Sequence, residues 1–146
     1  MKNMEEKIRM IADLVDSGEK VWFHVHTHEV LSHPDPGHHS FSSEWDYLVE
    51  DVMDQVFLDY DNYIEIPPPD PSTSYRIMAE FADTVSDVRF RARLLDALGG
   101  KKPFRFFRNA VEESPFREEW FDFLDARMQE YVLARMEEAL EKEQDA

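Results

Sequence analysis

The chain has 146 residues, of which 32 are Asp or Glu and 16 are Lys or Arg, so its formal net charge is −16. This acidic balance argues against general binding of DNA or RNA, because phosphate recognition depends on clustered positive charge. The absence of cysteine excludes disulfides, Cys-ligated zinc, iron–sulfur clusters and thiol nucleophiles, and an aromatic share of 13% is too high for a disordered acidic chain.

The first part of the chain predicts a helix followed by a short antiparallel sheet. Apolar residues recur at helical spacing over residues 5–17. Residues 21–25 then alternate in polarity, which predicts a strand that buries Val21, Phe23 and Val25 on one face. Further predicted elements are a return strand at 29–31, a loop at 33–43, a second helix at 44–58 with an apolar stripe (Trp45, Leu48, Val49, Val52, Val56), and a strand at 63–66.

The second part predicts a series of helices separated by proline and glycine. Ser72 is the predicted N-cap of the first of them, and Pro103 and Pro115 occupy the favoured first position of the last two. The predicted helices run over about 72–85, from residue 86 or 87 to 98, from 103 onward, and over 115–140.

Because these helices follow the strands instead of alternating with them, the order predicts an α+β fold with a small antiparallel sheet. We expect one helix-rich domain over residues 1–146, made of a strand-bearing part (1–66), a helical part (67–140) and a mobile tail (141–146). No signal peptide or spanning segment is evident in the sequence, so we expect a cytoplasmic protein that does not bind membranes.

Four short motifs occur in order along the second part of the chain: Tyr63–Pro67 (YIEIP), Tyr75–Phe81 (YRIMAEF), Ala97–Phe107 (ALGGKKPFRFF) and Trp120–Phe123 (WFDF). Together they resemble the UPF0158 family, which comprises small bacterial proteins of uncharacterised function, over roughly residues 59–139. The first forty-odd residues match less well: the resemblance leads us to expect a Thr-Gly-Glu-Val-like turn, and a histidine, His28, replaces its glycine. The resemblance implies a compact, mostly helical single domain and no particular activity.

Positive charge is concentrated in one segment. Residues 21–75 contain eleven acids and no Lys or Arg, whereas residues 89–108 contain seven bases and one acid, a net charge of +6. At the centre of that segment a glycine turn leads into a predicted helix, where free N–H groups and the helix dipole favour an anion. The candidate anion-binding residues are Lys101, Lys102, Arg105 and Arg108.

Arg105 and Arg108 are three residues apart and share a helix face, which leaves Phe104 and Phe107 on the apolar face. Such a site could take a phosphorylated ligand, a nucleic-acid end or an acidic partner protein. The alternative is that these bases pair internally with the surrounding carboxylates.

All six histidines fall between residues 24 and 39. His24, His26 and His28 would project from a single face if the strand continued through them, which is an arrangement that could bind zinc and activate a water for hydrolysis. The adjoining loop adds further candidate ligands: Glu29, His33, Asp35, His38 and His39. Alternatively, the histidines bind no metal, and their protonation near pH 6 tunes an acidic surface.

We favour a non-enzymatic binding or regulatory protein that acts through residues 101–108, with a metal-dependent hydrolase at the histidine hairpin as the alternative. Accordingly we expect no cofactor, with zinc as the alternative. The expected partner is a phosphorylated ligand or an acidic protein. A homodimer is also open, since a strongly acidic and a basic segment of the same chain could meet.

Overall fold

The computed structural model describes residues 2–34 and 43–144. Those residues form six α-helices and three β-strands, so the predicted α+β class is confirmed. In chain order the elements are α1 (Lys2–Asp16), β1 (Glu19–His24), β2 (Val30–Pro34), α2 (Ser43–Leu58), β3 (Tyr63–Ile66), α3 (Pro71–Thr84), α4 (Val88–Leu98), α5 (Pro103–Glu112) and α6 (Arg117–Gln144). Most of the loop predicted at 33–43 lies outside the described residues, and its first two residues belong to β2.

The sheet is antiparallel, with β1 between β2 and β3. Val21 pairs with Ser32 on one side and with Ile66 on the other. Val21, Phe23 and Val25 are buried as predicted, but the intervening Trp22 and His24 are buried too. The alternation in polarity therefore did not mark an exposed face, because Trp22 packs against Val52 and Val56 of α2.

The chain divides into two compact units. Unit 1 comprises Met1–Pro68 and Met128–Ala146, and unit 2 comprises Pro69–Arg127. Within unit 1, the Tyr131 hydroxyl of α6 donates a 2.7 Å hydrogen bond to the carbonyl of Pro67, just after β3. The predicted division at residue 66 missed the return of the second half of α6 to the first unit, and the expectation of one domain over the whole chain stays a prediction.

Unit 2 has an aromatic core. Its buried residues come from α3, α4 and α5, and include Phe81, Leu94 and Phe107. The Trp120 ring from α6 packs against this core, with centroid distances of 5.2 Å to Phe81 and 4.9 Å to Phe107. Aromatic rings at such distances and near-perpendicular angles add to the stabilisation gained from burial alone.

Two aspartates cap the helices of unit 2. Asp70 accepts a 2.8 Å hydrogen bond from the Thr73 backbone N–H, and Asp87 accepts one of 2.8 Å from Phe90. The prediction of Ser72 as N-cap is wrong, because Pro71 takes the first helical position and so places the cap one residue before it.

The last helix differs from its prediction at both ends. It begins at Arg117 instead of Pro115, because the Ser114 hydroxyl accepts the Phe116 N–H at 3.1 Å and holds a turn there. It also continues to Gln144, beyond the predicted end at residue 140, because Glu, Lys and Gln are good helix formers, and the mobility expected of residues 141–146 stays a prediction.

Candidate functional site

The four predicted anion-binding residues, Lys101, Lys102, Arg105 and Arg108, are all exposed at the start of α5. We call them the basic surface. None of the four forms an ion pair with any residue in the described part of the chain, whereas arginines of α4 do. Arg91 lies 3.8 Å from Asp83, and Arg93 is hydrogen-bonded to Glu113. Internal pairing therefore accounts for Arg91 and Arg93 and not for the basic surface.

The backbone at the start of α5 adds to this positive field. Lys102 is the N-cap residue and its side chain makes no capping hydrogen bond, in contrast to the aspartates that cap α3 and α4. Pro103 follows at the first helical position and has no N–H, and the first intrahelical bond is from the Phe106 N–H to the Lys102 carbonyl, at 3.0 Å. An uncapped helix start presents the positive end of the helix dipole, which here adds to four positive side chains.

The turn that leads into α5 is anchored to its neighbours. The Tyr75 hydroxyl of α3 donates a 2.9 Å hydrogen bond to the Leu98 carbonyl, at the end of α4. The Gly99 and Gly100 N–H groups donate to the carbonyls of Leu95 and Ala97. The backbone that carries Lys101 and Lys102 therefore follows a turn fixed by both helices.

Two phenylalanines border the basic surface. Phe107 is buried in the core of unit 2 at 1% exposure, but Phe104 and Phe106 are 41% and 47% exposed. The prediction that Phe104 shares the buried face is therefore wrong: the buried stripe of α5 runs through Phe107, Ala110 and Val111, and Phe104 lies at its edge. Arginine beside exposed aromatic rings is typical of protein–protein interfaces.

The histidine hairpin has a different organisation from the one predicted. His24 is the last residue of β1 and only 6% exposed. Its Nδ1 accepts the backbone N–H groups of His26 and Thr27, at 3.1 and 3.0 Å. Because two N–H groups donate to Nδ1, the ring proton lies on Nε2, which donates to Asp59 Oδ2 at 2.7 Å. Both ring nitrogens are thus engaged within the protein.

Asp59 was not anticipated from the sequence, since it lies 35 residues from His24 and no local pattern connects the two. The hydrogen bond from His24 holds the pKa of the Asp59 carboxyl below its ordinary value of 3.8, and a 2.7 Å bond from the Asn62 amide acts in the same direction. The Tyr63 ring packs edge-on against His24 at 4.9 Å. Burial raises the pKa of Tyr63, and so does the hydrogen bond from its hydroxyl to Glu29.

The three candidate zinc ligands do not follow one strand face, because β1 ends at His24 and a turn follows; the His26 ring still lies edge-on to the His24 ring at a centroid distance of 5.9 Å. His26 is exposed in that turn, and the His28 ring stacks on Phe23 with a centroid distance of 5.6 Å. Of the loop histidines, His33 is buried between the Trp22 indole N–H and the Pro34 carbonyl. No group of three or more side chains suited to a metal ion occurs within 2–34 and 43–144; Asp35, His38 and His39 lie outside those ranges, and zinc binding stays a prediction.

His28 provides a direct test of the turn geometry. Its φ angle of 64° lies in the left-handed region, where the resemblance led us to expect glycine. We expect His28→Gly to be more stable than His28→Ala by about 1 kcal/mol, because both variants lose the ring stack but only alanine retains a Cβ at this φ. Urea unfolding of the two variants measures the difference, and equal stability would show that the turn relaxes to negative φ.

The described elements define a helix-rich α+β protein that carries an exposed basic surface. The chain belongs to UPF0158, an uncharacterised protein family, whose sequence model matches residues 42–143. It is 27% identical over 106 residues to UPF0158 protein PA5073 of Pseudomonas aeruginosa, a match that covers 72% of this chain and 60% of the relative. No solved structure matches this chain. The basic surface lies within the matched region, and so do Asp59 and Tyr63, whereas His24 lies outside it.

No helix in the described ranges combines the length and the apolar character that crossing a bilayer requires.

Proposed function

We propose that this chain is a non-enzymatic binding protein that captures an acidic protein partner on the basic surface. The observation that carries the proposal is the exposure of four bases without a carboxylate partner among the described residues, in a chain whose acids outnumber its bases by 32 to 16. With so many carboxylates available, internal pairing would be the simplest fate of these side chains, and it is the fate of Arg91 and Arg93.

The arrangement favours a macromolecular partner over a small phosphorylated ligand. The four bases are distributed over the turn and along the exposed face of α5, beside the half-exposed Phe104 and Phe106. A cavity of about 190 Å³ in unit 2 lies elsewhere: its lining includes Phe81, Asp87 and Phe123 and none of the four bases. A protein segment that carries both carboxylates and apolar side chains would complement such a surface.

The test compares two charge-neutralised variants for binding to poly-glutamate and to a random glutamate–tyrosine copolymer. Arg105→Gln/Arg108→Gln removes two charges from the basic surface, and Arg91→Gln/Arg93→Gln removes two from paired arginines. At physiological salt, where the Debye length is about 8 Å, the first variant is expected to bind at least about tenfold more weakly than the wild type. The second is expected to bind within about twofold, because its arginines are already neutralised by carboxylates.

The copolymer is expected to bind more tightly than poly-glutamate, since its tyrosines can contact Phe104 and Phe106. Equal losses in the two variants would show that only total charge matters and would overturn the proposal. So would binding that neither variant weakens. Inorganic pyrophosphate serves as the comparison ligand: if it binds to the wild type and competes fully with the polymers, the site is a phosphate site instead.

A further inference from the structure

A second exposed surface of unusual composition lies on α2. Val52 and Val56 face the core of unit 1, and the opposite side of the helix carries three of the most exposed large apolar side chains: Tyr47 at 76%, Phe57 at 79% and Leu58 at 85%. Acidic residues lie between them. We call this set the acidic face of α2: Tyr47, Glu50, Asp51, Asp54, Phe57 and Leu58.

The spacing of these residues confirms that they form one continuous face. Glu50, Asp54 and Phe57 follow at intervals of four and three, so they align along one side of the helix. The helix is therefore apolar on two opposite sides, while a helix that serves only its own core needs one apolar stripe. Large apolar side chains concentrated on an exposed face are characteristic of interaction sites.

The acidic face of α2 and the basic surface are complementary in charge, and both carry exposed apolar side chains. The acidic face of α2 carries three carboxylates together with Tyr47, Phe57 and Leu58. The basic surface carries four bases and is bordered by Phe104 and Phe106. The acidic face of α2 extends along about 16 Å of helix axis from Tyr47 to Leu58, and the basic surface covers the turn before α5 and about 8 Å of helix axis from Pro103 to Arg108, at 1.5 Å per residue. Contact between them would pair opposite charges and cover apolar area on both sides.

We infer that the acidic partner of the basic surface is the acidic face of α2 in a second copy of this chain, an inference that rests on the proposed function. The contact is head-to-tail, because different surfaces of the two copies meet. After one such contact, one molecule keeps its basic surface unoccupied and the other keeps its acidic face of α2 unoccupied, so the contacts either close into a ring or continue as an open chain.

A contact between two surfaces this small buries less area than the roughly 1,200–2,000 Å² of a stable protein interface. The association is therefore expected to be reversible and to depend on concentration, with dissociation constants in the micromolar range or weaker. It must also work against the repulsion between two copies that each carry a net charge of −16, so it requires the local complementarity of the two surfaces.

Sedimentation velocity over a range of micromolar concentrations tests the inference with charge reversals. Glu50→Lys/Asp54→Lys changes the net charge of the α2 face from −3 to +1, and Arg105→Glu/Arg108→Glu changes that of the basic surface from +4 to 0. The control, Glu137→Lys/Glu141→Lys, has the same charge change at the same spacing on α6. The wild type and the control are expected to associate, and each of the other two variants alone is expected to associate at least about tenfold more weakly.

An equimolar mixture of the two variants is expected to associate again, because the unchanged α2 face of the Arg105→Glu/Arg108→Glu variant then meets the unchanged basic surface of the Glu50→Lys/Asp54→Lys variant. A wild type that stays monomeric throughout the range overturns the inference, and so does a mixture that fails to associate or an α2 variant that associates like the wild type. If the wild type is monomeric yet the Arg105→Gln/Arg108→Gln variant loses binding to the acidic polymers, the inference fails and the proposed function stands. If the polymers do not distinguish the variants, both fail.

Discussion

Phe107→Ala is expected to lower the free energy of unfolding by about 3 to 5 kcal/mol, the largest single effect we foresee. Phe107 is 1% exposed, and its ring packs between Phe81 at 6.4 Å and Trp120 at 4.9 Å. Removal of the ring would leave a cavity between α3, α5 and α6 that these aromatic side chains cannot collapse to fill. Urea unfolding followed by tryptophan fluorescence measures the loss, with Trp120 as a reporter in direct contact with the substituted position.

The neighbouring residue provides the control. Phe106 is half-exposed on the same helix, so Phe106→Ala is expected to cost about 1 kcal/mol or less. The comparison tests the orientation of α5, on which the position of the basic surface depends. If the two substitutions have the same effect on stability, the helix is rotated from the position described and the face that carries Arg105 is misassigned.

His24→Ala is expected to lower the free energy of unfolding by about 2 to 4 kcal/mol. The buried ring accepts two backbone hydrogen bonds of the hairpin turn and donates a third to Asp59. Alanine would leave those turn N–H groups without an acceptor and would open a cavity beside Tyr63. His24→Asn is expected to recover part of the loss, because an asparagine oxygen can accept N–H groups two and three residues ahead.

His26→Ala is the matched control and is expected to change stability by about 1 kcal/mol or less, since His26 is exposed in the turn and its ring contacts the His24 ring only edge-on, at a centroid distance of 5.9 Å. If the hairpin served to bind a metal ion, the two alanine variants would differ from this expectation in both zinc affinity and stability. In that case His24→Ala and His26→Ala would weaken zinc affinity together, and His24→Ala would leave the metal-free protein almost as stable as the wild type.

The hydrogen bond between His24 and Asp59 also makes the stability of the protein depend on pH in a predictable way. Folding lowers the pKa of Asp59 below 3.8, so its stabilising contribution is fully present above that value and is lost as the pH falls through the lowered pKa. In His24→Ala the main cause of the lowered pKa is absent. The difference in stability between wild type and variant is therefore expected to shrink below pH 3.8, and urea titrations at neutral and acidic pH would detect this. A difference that stays constant with pH would contradict the charge-assisted pairing.

Helix and strand boundaries were predicted well where a residue that starts or stops an element lies directly beside it in the sequence. β3 spans Tyr63–Ile66 as predicted, because one aromatic and two β-branched residues within four positions are followed at once by three prolines. Asp87 caps α4, one of the two positions proposed for the start of that helix. Pro103 opens α5 at its predicted first position.

The sequence was a poorer guide to which apolar side chains of a helix are buried. The stripe predicted for α2 included Leu48, which is exposed, while Val52 and Val56 are buried. Helical spacing could not decide this, because α2 has apolar residues around most of its circumference, and the same ambiguity misplaced Phe104 on α5. The pairing of His24 with Asp59 had no local signal at all. Only the antiparallel pairing of β1 with β3 brings the segment before β3 beside the end of β1.

The path of the chain between Pro67 and Tyr131, the two residues joined by a hydrogen bond in unit 1, has a consequence for the order of folding during synthesis. Unit 2 is contiguous in sequence, so all of its residues have been made once Arg127 has been added. Unit 1 at that stage still lacks the second half of α6, which supplies the buried Met128, Val132 and Met136. Unit 2 can therefore complete its core first, and unit 1 can complete its own only after the second half of α6 has been synthesised.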